Sequence, residues 1–342
     1  MTRIEPVPRH IGRRSLDLTL NVFGIPLGLA GLGGAWTAAT ALTGAPAWPD
    51  EVFFAVATLL WVVFGVVYLV QGSRRRGRFR ADLHHPTDGP FASFVPLVGV
   101  LLSAHNAPRL GAAGPVLCWV FIIGLALVAA RLTAHWLEGG VSTTDVHPGF
   151  FVPVVAGPFV ASIALGTIGE PELAICAFGV GLFFWAIIGA VAVQRLMSGS
   201  GLPDGALPTL TAFLASPSTA SIAWIGLHHG ELDQVQLALT GVFMLMVLVQ
   251  VMLIPRYVRL RSSMSFWVFT FPAASATNYG VRLSAALHGP AWATAAWIIL
   301  TVGTIVVLGV AGGTLWVLVM AVARRPTSRR STAHEPQQVH RL

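Results

Sequence analysis

Charged residues are scarce in this chain, and lysine is absent from it. Of its 342 residues 55% are hydrophobic and only 10% are charged, whereas roughly 25% of the residues in an average soluble domain are charged. So few charges could not cover the surface of a water-soluble fold of this length. The composition therefore excludes an ordinary soluble domain and favours a membrane protein.

Cysteine and catalytic motifs are also scarce. Cys118 and Cys176 are the two cysteines, and both fall in apolar segments without CxxC spacing, so we predict small core hydrophobes rather than a disulfide or a metal site. Most histidines, His105 among them, fall at the ends of apolar segments or between them, without an HExxH pattern, and no Walker A, GxSxG or dinucleotide-binding motif is present. We therefore expect no cofactor, no metal and no catalytic residue. A membrane-embedded enzyme is a remote alternative that would need a clustered catalytic constellation.

Long apolar stretches recur along the whole chain, each close to the roughly 20 residues that cross a bilayer core. We predict ten transmembrane helices, at residues 18–41, 51–71, 89–105, 113–138, 148–167, 171–197, 207–227, 232–257, 265–286 and 291–323. They form one all-α integral membrane domain over residues 18–323. A basic arm (1–17) precedes it, and an arginine-rich tail (324–342) that we expect to be disordered follows it.

The arginines predict the orientation of these helices. All 21 basic residues are arginines, and most lie before the first span, at residues 74–80, at 256–261 and after the last span. The loops on the opposite side hold Arg109 and six carboxylates, which are Asp50, Glu51, Glu170, Glu172, Glu231 and Asp233. By the positive-inside rule both termini are cytoplasmic in a multi-pass protein of the plasma membrane. The net charge of +7 could suggest a nucleic-acid partner, but this distribution between apolar segments indicates a membrane protein in contact with lipid instead.

Proline recurs in the odd-numbered spans, whereas the even-numbered ones run largely unbroken. Each odd span carries a proline well inside its bounds, at Pro26, Pro96, Pro153, Pro217 and Pro272, and these follow one another at intervals of 70, 57, 64 and 55 residues. This spacing is typical of a repeated helical hairpin. Because proline frees a backbone carbonyl, a kinked helix needs protein or a water-filled cavity beside it. We predict five tandem hairpins whose kinked inner helices surround a central pore. For the many glycines of these helices, close helix packing is the alternative explanation.

The predicted inner helices carry little charge. The first, third, fifth and seventh spans have no Arg, Asp or Glu at their centres, so no sodium site or proton relay is evident. Arg282, late in span nine, is a candidate for anion electrostatics because it follows the kinked segment. The alternative is snorkelling or pairing between helices, which we favour for Arg131 in span four. Weak attraction of this kind would let small anions pass.

Five segments carry a resemblance to a known family. They are residues 23–36 (FGIPLGLAGLGGAW), 94–97 (FVPL), 148–153 (PGFFVP), 202–209 (LPDGALPT) and 269–272 (FTFP). The chain resembles the TehA-like family of tellurite-resistance proteins and plant slow anion channels, also known as C4-dicarboxylate transporters. The match spans nearly the whole chain, and the segments fall in order on the odd spans.

This resemblance implies a homotrimer in which each subunit has its own pore, gated at mid-membrane by a phenylalanine. By motif position the gate is Phe271, directly before Pro272, and Phe269 is the second choice; packing beside a kink is the alternative role for Phe271. Asn278 and Tyr279 depart from the small apolar run that usually follows the motif. They alter solute preference or form hydrogen bonds between helices.

The leading functional hypothesis is therefore a channel that conducts small inorganic or organic anions past Phe271. The alternative is a secondary carrier for C4-dicarboxylates or tellurite on the same scaffold. A carrier should saturate and couple to an ion gradient, so the scarcity of protonatable residues inside the predicted spans favours the channel.

Overall fold

The computed structural model describes residues 18–142, 144–199, 201–260 and 263–323, and within these ranges the chain is helical and contains no strand. The α-helices are α1 (Gly24–Thr43), α2 (Trp48–Ser73), α3 (Arg78–Leu83), α4 (Phe94–Leu110), α5 (Ala113–Leu137), α6 (Gly157–Thr167), α7 (Pro171–Ser198), α8 (Ala212–Leu227), α9 (Gln234–Val258), α10 (Trp267–Ala286) and α11 (Trp292–Ala323). The predicted all-α class is confirmed. The predicted arm (1–17) and tail (324–342) lie outside the described residues.

Nine helical segments in the described part of the chain are long and apolar enough to cross a membrane, and each overlaps a predicted span. The remaining predicted span, 265–286, forms α10. That helix is more polar than the others because its second half holds Asn278, Tyr279 and Arg282. The chain is a multi-pass membrane protein.

Burial alternates from one segment to the next. In Leu20–Thr43, Gly89–Leu110, Pro148–Thr167 and Leu207–Leu227, 61–83% of the residues in the most apolar stretch are buried, against 17–22% in the other five segments. The other five present large apolar side chains outward, among them Leu59, Leu127, Phe183, Leu248 and Ile305. So much exposed apolar surface suits hydrocarbon rather than water.

The five buried helices contact one another in a closed series. Helix α1 packs against α4, α4 against α6, α6 against α8, α8 against α10, and α10 against α1. Each is followed along the chain by an outer helix that packs on it: α2 on α1, α5 on α4, α7 on α6, α9 on α8 and α11 on α10. The inner helices thus surround an axis, and the outer helices separate that axis from lipid.

The inner helices begin with tight turns at one end of the bundle, which we call the N-face; they finish at the C-face. The turns are Leu20–Phe23, Gly89–Ser93, Pro148–Phe150, Leu207–Thr211 and Met264–Phe266, all of the 3-10 type. The predicted prolines lie close behind. Pro26 and Pro96 are third in α1 and α4, Pro153 lies in the π-helical turn Val152–Ala156, and Pro217 and Pro272 are sixth in α8 and α10. Without an N–H, proline tolerates such changes of helical geometry.

Helices α1 and α10 approach each other closely because glycines line α1. A Cβ atom at Gly28 would lie 1.9 Å from Thr270 Oγ1, and one at Gly31 would lie 3.0 Å from a ring carbon of Phe271. Small residues permit this approach between membrane helices. Close packing therefore explains these two glycines.

The two cysteines differ in their surroundings. Cys118 on α5 is fully buried, as predicted. Cys176 on α7 is exposed, so the prediction of a core position was wrong for it. Its segment is an outer helix, and an apolar residue there faces lipid as readily as protein.

Candidate pore and gate

A cavity of about 290 Å³ lies on the axis in the C-face half of the bundle. All five inner helices line it, through Gly31, Gly34 and Thr37 of α1, Ala104 and His105 of α4, Ile163 and Thr167 of α6, Thr219 and Ile222 of α8, and Ser275 and Asn278 of α10, with others. Its lining mixes small apolar groups with hydroxyl and amide groups. The cavity has room for several water molecules.

The N-face half of the axis is much narrower. The cavity there measures only about 20 Å³, which is room for about one water. Residues of all five inner segments line this cavity too, and their side chains are aliphatic or aromatic. They include Leu27, Phe94, Leu97, Phe151, Val152, Ala212, Ala215, Trp267 and Val268. Such a lining offers water and ions no hydrogen bonds, so the axis is constricted here.

Phe271 belongs to the linings of both cavities. Its side chain is only 7% exposed and packs against Gly31 of α1. One turn further on, Ser275 Oγ donates to the Phe271 carbonyl at 2.9 Å, and Ser218 Oγ of α8 donates to Ser275 Oγ at 3.2 Å. The ring therefore stands between the two cavities, beside a backbone segment that α1 and α8 hold.

Phe269 lies elsewhere. Its ring packs on Tyr257 of α9, with 5.5 Å between the ring centroids. It lines a lateral cavity of about 500 Å³ bordered by residues of α8 to α11. Side chains two residues apart on a helix do not share a face. The structure brings Phe271, and not Phe269, to the axis.

Arg282 lies 11 residues after Phe271, or about 16 Å further along α10. It is half-buried, and its Nε donates to Asn278 Oδ1 at 2.8 Å. Both side chains line the C-face cavity, and Arg282 also borders an outer cavity of about 410 Å³ that His229 and His288 line. Across the described ranges, no carboxylate forms an ion pair with Arg282. A positive charge without a counter-ion therefore lies between the two cavities.

Tyr279, next to Asn278, has a structural role instead. It is fully buried, Gln236 Nε2 donates to its hydroxyl at 2.7 Å, and Thr240 Oγ1 also contacts that hydroxyl. These contacts join α10 to α9. Of the two alternatives for this polar pair, hydrogen bonding between helices applies to Tyr279, whereas Asn278 faces the cavity.

Arg131 on α5 does not approach the axial cavities. Its Nη2 lies 2.6 Å from Nε2 of His84, which caps the C-terminus of α3. The second nitrogen of that imidazole, Nδ1, lies 2.6 Å from the Arg80 carbonyl. Arg131 thus pairs between elements, which is the alternative that the sequence favoured for it.

A cluster of ionisable side chains borders the C-face cavity and was not predicted as part of the site. Helix α4 continues to Leu110, so His105 lies inside the helix, lines the cavity and stacks on Phe54 with 3.7 Å between ring centroids. Arg109 donates to Glu51 through both Nη atoms and contacts His105 Nε2 at 3.2 Å. The signal for this cluster was the i, i+4 spacing of His105 and Arg109, which matters only if the helix extends past residue 105.

Asp50 lies behind the wall of the same cavity. It is buried, and Thr37 Oγ1, from the cavity lining, donates to its Oδ2 at 3.0 Å. The backbone N–H of Glu51 donates to its Oδ1 at 2.7 Å. Asp50 is therefore a hydrogen-bonded support of the cavity wall rather than part of its surface.

Comparison with known proteins gives a consistent set of relatives. The family model described as "SLAC1: Voltage-dependent anion channel" matches residues 17–315. Over 270 residues the chain is 30% identical to the tellurite resistance protein TehA homolog of Haemophilus influenzae. The matched residues make up 78% of this chain and 81% of that relative.

Two plant proteins are more distant. The guard cell S-type anion channel SLAC1 of Arabidopsis thaliana is 23% identical over 292 residues, with 80% of this chain and 51% of the relative covered. The S-type anion channel SLAH3 of the same plant is 22% identical over 339 residues, with 93% and 53% covered. The chain spans about half the length of these two relatives.

Proposed function

The chain belongs to the SLAC1 family, as its five motifs predicted, and on that premise we propose that it is a channel conducting small anions along the axis of its inner helices. The observation that carries this proposal is a single phenyl ring, Phe271, between two axial cavities that all five inner helices line. Membership of a channel family also agrees with the expectation that the chain is not an enzyme.

The electrostatics of the axis favour anions over cations. The inner helices all begin at the N-face, so the positive ends of their dipoles converge there. Of the carboxylates in the described residues, none lines either axial cavity, whereas Arg282 lines one. Modest attraction without a deep binding site allows an ion both to enter and to leave.

The proposed gate is Phe271. An apolar ring in an apolar constriction stops ions without any charge, because an ion there would lose its water and gain no replacement. Displacing the ring would join the cavities of about 20 Å³ and 290 Å³ into one path. Pro272 follows directly, and because it has no N–H the backbone beside the ring is less constrained.

The five predicted kink prolines are proposed to serve the same end. Pro26, Pro96, Pro153 and Pro217 lie, like Pro272, within the first half of their inner segments, close to the tight turns at the N-face. A helix that changes geometry there can shift its N-face end without breaking the hydrogen bonds of its remaining turns. The constriction would then widen by small movements of several helices.

We further propose the setting that resemblance and arginine distribution imply. The chain would form a homotrimer with one pore in each subunit, in the plasma membrane. The arginine-rich connection after α2 lies at the N-face, so by the positive-inside rule the N-face and both termini are cytoplasmic. Arg282 would then border the external mouth.

The second candidate is a proton-coupled carrier for C4-dicarboxylates or tellurite. One observation favours it, namely that His105, a protonatable group, lines the C-face cavity with Nε2 only 3.7 Å from Glu51. Histidine changes charge near neutral pH and can exchange a proton with a passing solute.

Reconstitution of the purified protein distinguishes the two candidates. In planar bilayers under a chloride gradient, a channel gives a current whose reversal potential follows the anion gradient. In liposomes, a carrier gives saturable dicarboxylate or tellurite uptake that depends on a proton gradient, with protein-free liposomes as the control. Anion-selective current supports the channel. Proton-dependent, saturable uptake without such current would overturn it.

A further inference from the structure

The guanidinium group of Arg282 has free donors directed at solvent-accessible space. Its Nε is occupied by Asn278 Oδ1, and this is the one hydrogen bond that the group makes within the described residues. The two Nη atoms make no hydrogen bond within the described residues, and neither belongs to the fully buried polar atoms that lack a partner, so both are accessible. Since the side chain borders both the inner and the outer cavity at the C-face, its Nη donors are open to a ligand that travels between them.

Asn278 fixes the direction of those donors. It lies four residues before Arg282, one turn earlier on the same face of α10, and it also lines the cavity. Gly34 of α1 lies opposite, where an added Cβ would be 3.4 Å from Asn278 Nδ2. With Nε tied, the two Nη atoms form a planar fork of fixed orientation.

A fork of this kind matches some anions better than others. Two parallel N–H groups bind two oxygens of a carboxylate or another planar oxyanion together, whereas a spherical halide offers no second acceptor atom. The apolar neighbours Leu42, Ile225 and Gly226 lower the local dielectric and strengthen the attraction. The side chain is not fully buried, and the outer cavity beside it lets a bound anion leave.

We propose that Arg282 is an anion-binding station between the two C-face cavities, that Asn278 is its positioning residue, and that the station favours small planar oxyanions over halides. This inference rests on the proposed conduction of anions and adds to it a site and a preference. The charge of Arg282 determines the selectivity for anions over cations, and the planar shape of its guanidinium determines the preference for oxyanions over halides.

Two substitutions separate charge from shape. We measure the formate-to-chloride permeability ratio from reversal potentials in planar bilayers under bi-ionic conditions. Arg282→Lys keeps the charge but removes the fork, so the ratio should fall by about fivefold, the value of about one hydrogen bond, while anion-over-cation selectivity stays. Arg282→Gln should lower both. Arg131→Lys, the same change at an arginine paired with His84 away from the axis, is the matched control and should alter neither.

Substitution of Asn278 provides an independent test that leaves Arg282 in place. Asn278→Asp puts a carboxylate where Oδ1 now accepts from Nε at 2.8 Å, so the station becomes an ion pair and anion selectivity should fall as in Arg282→Gln. Asn278→Ala removes only the positioning bond and should lower the formate-to-chloride ratio with anion selectivity retained.

The outcomes for the station and for the channel are distinguishable. An unchanged ratio in conducting Arg282→Lys and Asn278→Ala proteins would overturn the station and leave the channel intact. If the wild type carries no anion current, the proposed function fails, and the station is then tested by thermal unfolding in formate. Formate should raise the Tm of the wild type and not of Arg282→Lys, and an equal rise in both would overturn it.

Discussion

Phe269 and Phe271 lie two residues apart on α10, yet only Phe271 borders the axis. The ring of Phe269 packs on Tyr257 beside a lateral cavity. The ring of Phe271 lies between the two axial cavities, against Gly31. Two phenylalanines of one helix thus lie in different places, one beside a lateral cavity and one on the axis. A substitution of Phe269 is therefore a matched control for the same substitution of Phe271.

The close approach of α1 and α10 predicts that Gly28 tolerates no larger residue. In Gly28→Ala the new methyl would lie 1.9 Å from Thr270 Oγ1, so the helices must separate, at about 1–3 kcal/mol of stability. Thermal unfolding of the purified protein in detergent measures the loss. Gly34→Ala is the control, because its nearest neighbour would be 3.4 Å away. Equal Tm values for the two variants would contradict this account of the packing.

The contacts of Tyr279 predict a role in stability and not in selectivity. Tyr279→Phe removes the hydroxyl that Gln236 and Thr240 share. We expect a loss of about 1 kcal/mol, typical of a hydrogen bond between membrane helices, with an unchanged reversal potential under a chloride gradient. A shifted reversal potential would instead place Tyr279 in the conduction path.

The ion pair of Glu51 and Arg109 at the C-face predicts a salt-dependent effect on conduction. Glu51→Gln leaves the positive charge of Arg109 unbalanced near the cavity that His105 lines. Local anion concentration should rise, so anion conductance at about 0.01 M salt should exceed that of the wild type, and the difference should vanish near 1 M.

Glu172→Gln is the control for this effect. Glu172 lies in the first turn of α7, an outer helix that begins at the same face. The substitution removes one negative charge at the C-face without changing the cavity lining, so its effect on anion conductance should be smaller than that of Glu51→Gln. Identical conductance of Glu51→Gln and the wild type at low salt would contradict the prediction.

The N-cap of α9 predicts a pH-dependent contribution to stability. Asp233 accepts a hydrogen bond from the Gln236 N–H at 2.7 Å and from Trp224 Nε1 at 2.9 Å. The Gln236 N–H above all, with Trp224, lowers the pKa of the Asp233 carboxyl from its ordinary value. Since the folded-state pKa is depressed, this contribution is present at neutral pH and is lost as the pH falls through the carboxylate range.

Two variants test that contribution. Asp233→Ala should lower the Tm at about pH 7, and Asp233→Asn, which keeps an acceptor for the N-cap, should lower it less. The Tm difference between the wild type and Asp233→Asn should persist down to about pH 4, the ordinary range of an aspartate, and shrink as the pH falls below it. A difference that is independent of pH would contradict the role of the charge.

Much of the helical framework could be predicted because a helix that crosses a membrane needs a continuous run of apolar residues, which the local sequence shows directly. The segment predicted at 148–167 has those bounds in the structure. The end of α4 was placed five residues short, because His105, Pro108 and Arg109 are typical of a loop. Here the helix continues because its polar side chains find partners on α2, which sequence does not reveal.

The candidate site was less predictable than the fold, since it depends on small rotations. Asn278 and Tyr279 are neighbours, yet about 100° of helical turn directs one to the cavity and the other to α9. The partner of Arg131 is His84, 47 residues away, and only tertiary contact identifies it. The motif at 269–272 placed a phenylalanine near the axis, but the choice between two rings needed the packing of α1 and α9 around them.

The most direct test of the central claim compares currents of Phe271→Ala and Phe269→Ala with the wild type in planar bilayers under a chloride gradient. Phe271→Ala removes the ring between the two axial cavities, so we expect an anion-selective current at least about tenfold above wild type. Phe269→Ala should stay at the wild-type level. No rise in a folded Phe271→Ala protein, or an equal rise in both variants, would contradict the assignment of Phe271 as the gate.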